Sequence, residues 1–269
     1  MKTNSDDLED NWAELCSEES LRCTPEYWNS RAEDYADFIV NSDFDHGRKI
    51  LNHFVKEGLV ESNWDIVDIG SGPGAISIPF AAKVRSVTSV EPACEMAKNL
   101  LKQAEMRNLS NISLIPNTWQ DIAITEHLGK YDLAICSHAI WHFPDLFFQI
   151  ERMQRVSRKY CAVAHGIFEA GQIEPIYKNL GIPRDDADRF IMVKRILENR
   201  GIFPEVSVLP TTMQRTVQSA RSMMVLGLKK YREVQPEDEA MIDEYLKAHS
   251  KDGMYVRQGK MGLLWWRVS

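Results

Sequence analysis

The segment WDIVDIGSGPG, residues 64–74, limits the fold of this chain more than any other. Its first half, rich in Ile and Val, reads as a short buried strand, and the glycines that end it read as a sharp turn. A helix-forming run, GPGAISIPFAAKV, follows directly. A strand that turns through glycines into a helix is the opening unit of a parallel sheet, because parallel neighbours need a crossover and a helix is the usual one. Pro79 removes one hydrogen bond from that run, so a bend is expected there.

The alternation continues along the chain. SVTSVEP, ISLIP, YDLAICSHA, KYCAVAHG, PEVSVLPT and GKMGLLWWRV read as six further strands. ACEMAKNLLKQAEMRNL, FPDLFFQIERMQRVS and DADRFIMVKRILENRG lie between them with apolar residues at helical spacing. Ahead of the first strand, Tyr27, Trp28, Arg31, Tyr35 and Phe38 share one helical face, and HGRKILNHFVKEGL forms a second helix ending at Gly58. Two late helices, TVQSARSMMVLGLKK and PEDEAMIDEYLKAHS, precede the last strand. The expected architecture is α/β, with a seven-stranded, mostly parallel sheet covered on both faces. A helical cap over residues 25–60 and a main domain over 61–269 with a helical insertion at about 210–250 complete it.

Composition fits one large domain: 269 residues, 44% apolar and 26% charged. No apolar run approaches the ~18 residues that cross a bilayer, and MKTNSDDLED has no apolar core of a secretory signal. The net charge is −7, and most of it sits in residues 1–20, where seven acids face Lys2 alone. Residues 1–24 are therefore expected to be a loosely ordered acidic segment. The rest of the chain builds no basic field, so nucleic acid and membrane are not expected partners. Cys16, Cys23, Cys94, Cys136 and Cys161 are scattered and odd in number, as reduced thiols of a cytoplasmic protein are. The oligomeric state is not set by these features.

The loop Gly70-Ser71-Gly72-Pro73-Gly74 lies where open parallel sheets bind ligands, at the carboxyl end of a strand. With Ala75 in the last place it fits a dinucleotide fingerprint, and Glu91, 21 residues after Gly70, suits ribose hydroxyls for either a dinucleotide or another nucleoside. Asp68 decides between them. It is an acid inside the apolar run IVDIG, where an anionic pyrophosphate would be repelled. A buried carboxylate needs a partner, and the ammonium of an amino-acid moiety supplies one.

VDIGSGPG, then Glu91, NTWQDI and YDLAICSHAIWHFPD, in that order, resemble the class I S-adenosylmethionine-dependent methyltransferases of the small-molecule type. EYWNSRAEDY is similar to their cap helix and LLWWRV to their antiparallel last strand, so the resemblance implies a Rossmann-like sheet. It implies S-adenosylmethionine as cofactor and a small molecule as acceptor. Asp68, Gly70, Ser71, Gly72 and Gly74 would hold the methionine end, Glu91 the ribose, and Pro92 and Met96 the adenine. Thr118 and Trp119 stand where an Asp-Ala pair often meets the adenine, which leaves backbone contacts there. Ser137, His138 and Ala139 would line the methyl side, and Trp28, Arg31 and Tyr35 would close over the methionine carboxylate and the sulfonium.

Methyl transfer from a sulfonium needs alignment, exclusion of water and negative potential around the sulfur. Tyr27, Trp28, Tyr35 and Trp141 offer aromatic faces, although such a stripe at helical spacing packs a core equally well. His138 is the expected catalytic base, His142 belongs to the HFPD turn, and His165 is a further candidate for the acceptor pocket. Met223 and Met224 suit either an adaptable pocket or a core. No metal site is expected. A dinucleotide oxidoreductase, a non-catalytic binder and a metalloid methylase are the rival readings. Asp68 and the last-strand pattern oppose the first, the intact loop and Glu91 the second, and the placing of the cysteines the third.

Overall fold

The computed structural model describes residues 4–167, 175–182 and 188–268. Its centre is one sheet. β1 (Asp65–Ile69), β2 (Ser86–Val90), β3 (Ile112–Ile115), β4 (Tyr131–Ser137) and β5 (Ser157–Gly166) are parallel. β6 (Glu205–Thr216) and β8 (Met254–Arg267) complete the spatial order β3-β2-β1-β4-β5-β8-β6, with the two-residue β7 (Ser250–Lys251) paired to β8. β8 is antiparallel to both β5 and β6, so β6 points the same way as β5. The Rossmann-like sheet with its antiparallel last strand is present.

β7 and β8 are joined by Asp252 and Gly253, both at positive φ, 52° and 75°. That is the geometry two-residue hairpins prefer, and the Asp-Gly pair supplies it. β6 is also longer than the expected strand. Its Pro210 is tolerated because β6 is an edge. Beyond the proline, that edge is covered by cap side chains. The amides of Thr212, Gln214 and Thr216 donate to Asp45 Oδ2 (3.1 Å), Ser42 Oγ (2.8 Å) and Asp37 Oδ2 (2.9 Å).

Ahead of β1 come α1 (Asn4–Arg22), α2 (Pro25–Ser30), α3 (Ala32–Asn41) and α4 (Asp45–Lys56). The expectation of a loosely ordered start is corrected by α1. Leu8, Trp12 and Leu15 recur at three- and four-residue spacing beside Cys16 and pack on the core, while acids occupy other faces. Trp12 is 1% exposed, and its indole N–H donates to the Phe143 carbonyl at 2.8 Å. Thr24 caps α2 by accepting from the Tyr27 amide, with Pro25 in the first turn.

α5 (Ser77–Ala81) is shorter than the glycine-to-valine run suggested and shows why Pro79 causes no break. The proline falls in the first turn, where amides have no intrahelical acceptor. α6 (Cys94–Met106), α7 (Leu146–Val156) and α9 (Arg189–Asn199) follow their apolar stripes. α8 (Pro175–Asn179), α10 (Val217–Lys229) and α11 (Pro236–His249) share a separate core of Ile176, Ala220, Met224, Leu228, Ile242 and Leu246. Met224 is buried there and Met223 packs against it, so both methionines serve a core.

α4 lies against the glycine loop through Gly47. A Cβ added there would sit 2.0 Å from the Ala75 carbonyl oxygen. Gly47→Ala is expected to cost about 1–3 kcal/mol of stability, the range for overpacking. Urea denaturation checks this, and an unchanged midpoint would contradict the close contact.

Candidate active site

A cleft of about 310 Å³ opens at the carboxyl ends of β1, β2 and β4, a volume within the range of cofactor pockets. The cap closes it from above with Thr24, Trp28, Tyr35 and His46. Gly70 has φ 70°, and a Cβ there would meet the Ala139 side chain at 2.4 Å. Only glycine lets the loop lie this close to the turn after β4.

Asp68 is 1% exposed at the floor of the cleft. Its Oδ2 accepts from the Ser77 hydroxyl at 2.6 Å, and Ser77 lies 2.7 Å from the Ser89 hydroxyl. Its Oδ1 has no partner. Burial is the main reason that the Asp68 carboxyl is pushed up to about 7, against the Ser77 hydrogen bond and with help from Glu91. Glu91 is raised as well, again by burial, while its Oε1 accepts from the Ala93 amide and its Oε2 from the Gly72 amide, both at 2.8 Å. Each of these oxygens keeps a lone pair for a further donor. Among the described residues that line the cleft, none is Lys or Arg. Two buried carboxylates without a cation call for a ligand that brings positive charge and hydroxyls.

Across from the carboxylates stands a wall of rings. His138, at φ 57°, stacks on His46 with centroids 4.9 Å apart and lies 5.6 Å from His165. Its Nε2 has no partner, while its carbonyl accepts from the Trp141 indole at 2.8 Å. Burial and the neighbouring His46 push the His138 imidazole down to about 3, so the ring is neutral. His46 and His142, also on the cleft, are held down at about 4 by burial. Trp28 meets Tyr35 edge-on at 5.9 Å and His142 at 6.3 Å. Among the described residues, no group of three or more His, Cys, Asp or Glu is placed to hold a metal.

Comparisons with known proteins agree with this geometry. Residues 66–159 match the family described as a methyltransferase domain. A ribosomal RNA small subunit methyltransferase G of Corynebacterium diphtheriae is 32% identical over 89 residues, 32% of this chain and 40% of that protein. A structure from Aquifex aeolicus described as a SAM-dependent methyltransferase superposes with TM-score 0.52 at 18% identity, covering 70% of this chain and 93% of that one. A Bacillus halodurans protein provisionally assigned as a methyltransferase gives 0.53 at 15% identity, covering 81% and 97%. The two structural likenesses are of fold.

Residues 66–159 are a methyltransferase domain by the family match, and the chain has the fold of known methyltransferases. A methyltransferase domain is an enzyme domain.

In this methyltransferase domain Trp28, Asp68, Gly70, Ser71, Gly72, Glu91, Pro92, Met96, Thr118, Trp119, Ser137 and His138 all line the cleft. Two others do not. Arg31 is turned away and buried, clasping Asp34 through Nε and Nη2 at 2.8 Å each and donating from Nη1 to the Tyr27 hydroxyl at 2.7 Å. Gly74 packs inward, where an added Cβ would lie 2.9 Å from the Ile78 side chain. Thr118 donates to Asp121 at 2.6 Å, which leaves the unpartnered Trp119 indole as the free donor of that pair. His46 and Cys23 were missed. Cys23 lies on the wall with its thiol pushed up to about 12 by burial, so it is no thiolate. The signal for His46 was its neighbour Gly47, a helical glycine that marks close packing.

A ligand ammonium needs Asp68 ionised, so binding must expel its proton below about pH 7. S-Adenosylhomocysteine affinity is expected to weaken as pH falls from 8 through 7 to 6 and to level off above. Asp68→Asn should lose about 1.5–3 kcal/mol of binding and flatten the profile. Calorimetry across pH checks both, and a flat wild-type profile would contradict the assignment.

Proposed function

We propose that this protein transfers the methyl group of S-adenosylmethionine to a small-molecule acceptor by in-line displacement. The observation that carries the reading is the unpartnered Asp68 oxygen beside Glu91 in a cleft without lysine or arginine. Asp68 takes the ammonium, the Gly70–Gly72 loop follows the methionine chain, and Glu91 takes the ribose hydroxyls. Pro92, Met96 and Trp119 flank the adenine. Bound there, the cofactor supplies an electrophilic methyl on a sulfonium.

Trp28, Tyr35 and His142 turn rings toward the space beside that sulfonium and exclude water from it. His138 offers a neutral, unpartnered Nε2. A ring held so far below its ordinary value stores a proton poorly, so the expected base becomes a hydrogen-bond acceptor that orients the nucleophile's X–H. Asp68 and Glu91 would hold the cofactor with its methyl carbon toward the acceptor atom that His138 orients, and the acceptor's proton would pass by way of His138 to the solvent at the open side of the cleft.

The ribosomal RNA methyltransferase among the relatives favours a second reading, in which the acceptor is RNA. The net charge of −7 and the cation-free cleft weigh against it, because phosphate contacts need lysine and arginine. No described helix is long and apolar enough to cross a membrane. The five free cysteines support a reducing cytoplasm.

With methyl-tritiated cofactor, the protein is expected to label small molecules of a metabolite extract and to leave ribosomal RNA unlabelled; label confined to RNA would sink the small-molecule reading. His138→Asn should lower turnover at least about tenfold and leave S-adenosylhomocysteine affinity within about twofold. The reverse pattern in stopped-time assays would make His138 a binding residue.

A further inference from the structure

Arg215 lies one residue from the carboxyl end of β6 and is 7% exposed. Its guanidinium donates no hydrogen bond among the described residues, and Nη1 is buried without a hydrogen-bond partner. The nearest acid is Asp34, 3.5 Å away, beyond good hydrogen-bond geometry. Asp34 is already spent, because both its oxygens are clasped by Arg31. Two buried cations therefore share one anion. The Phe38 ring, 4.6 Å from the Arg215 guanidinium carbon, compensates only in part. Burial lowers the pKa of Arg215 from its usual value, the sign of a cation short of partners.

Arg215 is not itself on the wall of the cleft but lies behind Tyr35 and His46, which are. β6 runs with β5, so Arg215 comes out at the same sheet edge as the glycine loop and Ser137. The ladder of cap side chains on Thr212, Gln214 and Thr216 fixes it against α3. Phe38, under the guanidinium, touches Tyr35 edge-on at 5.5 Å and His46 at 5.8 Å, and both of those line the cleft.

We propose that Arg215, braced by the Arg31–Asp34 pair, is the seat of a ligand carboxylate at the cap side of the cleft. A guanidinium fork matches a carboxylate with two hydrogen bonds and removes the surplus buried charge. The inference rests on the methyl-transfer reading and adds a chemical class to it. The carboxylate belongs either to the methionine end of the cofactor or to the acceptor.

The test titrates wild type, Arg215→Gln and Arg215→Lys with S-adenosylhomocysteine and with its decarboxylated analogue, which keeps the ammonium. It also records the melting temperature of the S-adenosylhomocysteine-saturated proteins with benzoate and with benzamide. If the methionine carboxylate is the ligand, Arg215→Gln weakens S-adenosylhomocysteine about tenfold or more and spares the analogue. If the acceptor carries it, both nucleosides bind unchanged, and benzoate but not benzamide raises the melting temperature of wild type alone. Arg215→Lys keeps the charge without the fork and should lie between; it also serves if the glutamine variant does not fold. No carboxylate dependence in either arm overturns the proposal. Failure of wild type to bind either nucleoside overturns instead the reading on which it rests.

Discussion

A carboxylate in the middle of an apolar strand is the constraint on which the rest of this structure depends. Asp68 is buried between Val67 and Ile69, and the fold meets only half of its demand, through Ser77. An unpaired buried charge is costly, so burial pushes this carboxyl up to about 7 in the free protein, where it is only partly ionised. The missing partner is left to the ligand. The same device recurs in milder form at Glu91, whose oxygens orient the Gly72 and Ala93 amides and remain open to hydroxyl donors. Binding and preorganisation are thus one property of the site.

The cap roofs this floor and leaves a cleft. α1 is held by Trp12 on the Phe143 carbonyl, at the end of the turn that carries His138 and His142. α2 and α3 supply Trp28 and Tyr35, and α4 supplies His46, stacked on His138. Lys230, the residue that caps the end of α10, reaches Glu19 of α1 at 2.7 Å, which ties the late helices to the first one. Neutral histidines and indoles make the acceptor side a poor place for water and for ions.

The parts of the fold that could be read in advance share one property: their signal is local. β1 to β5 are short runs of β-branched residues bounded by turns, and Gly70, Asp68 and Glu91 sit at fixed offsets from two of them. α1 could not be read because seven acids overwhelm an apolar stripe of few residues. The far half of β6 looks like a loop, since its outward amides are met by Ser42, Asp37 and Asp45 from distant helices. Arg31 sat on the right helical face for the cleft, but Asp34, three residues on, captured it. His46 and Arg215 gain meaning only from partners far along the chain, His138 and Asp34, which no spacing rule connects.

A crystal structure grown with S-adenosylhomocysteine is the most direct measurement. The account predicts the amino nitrogen within hydrogen-bond distance of Asp68 Oδ1 and both ribose hydroxyls on Glu91. An amino group lodged elsewhere, with Asp68 Oδ1 still alone, would contradict it.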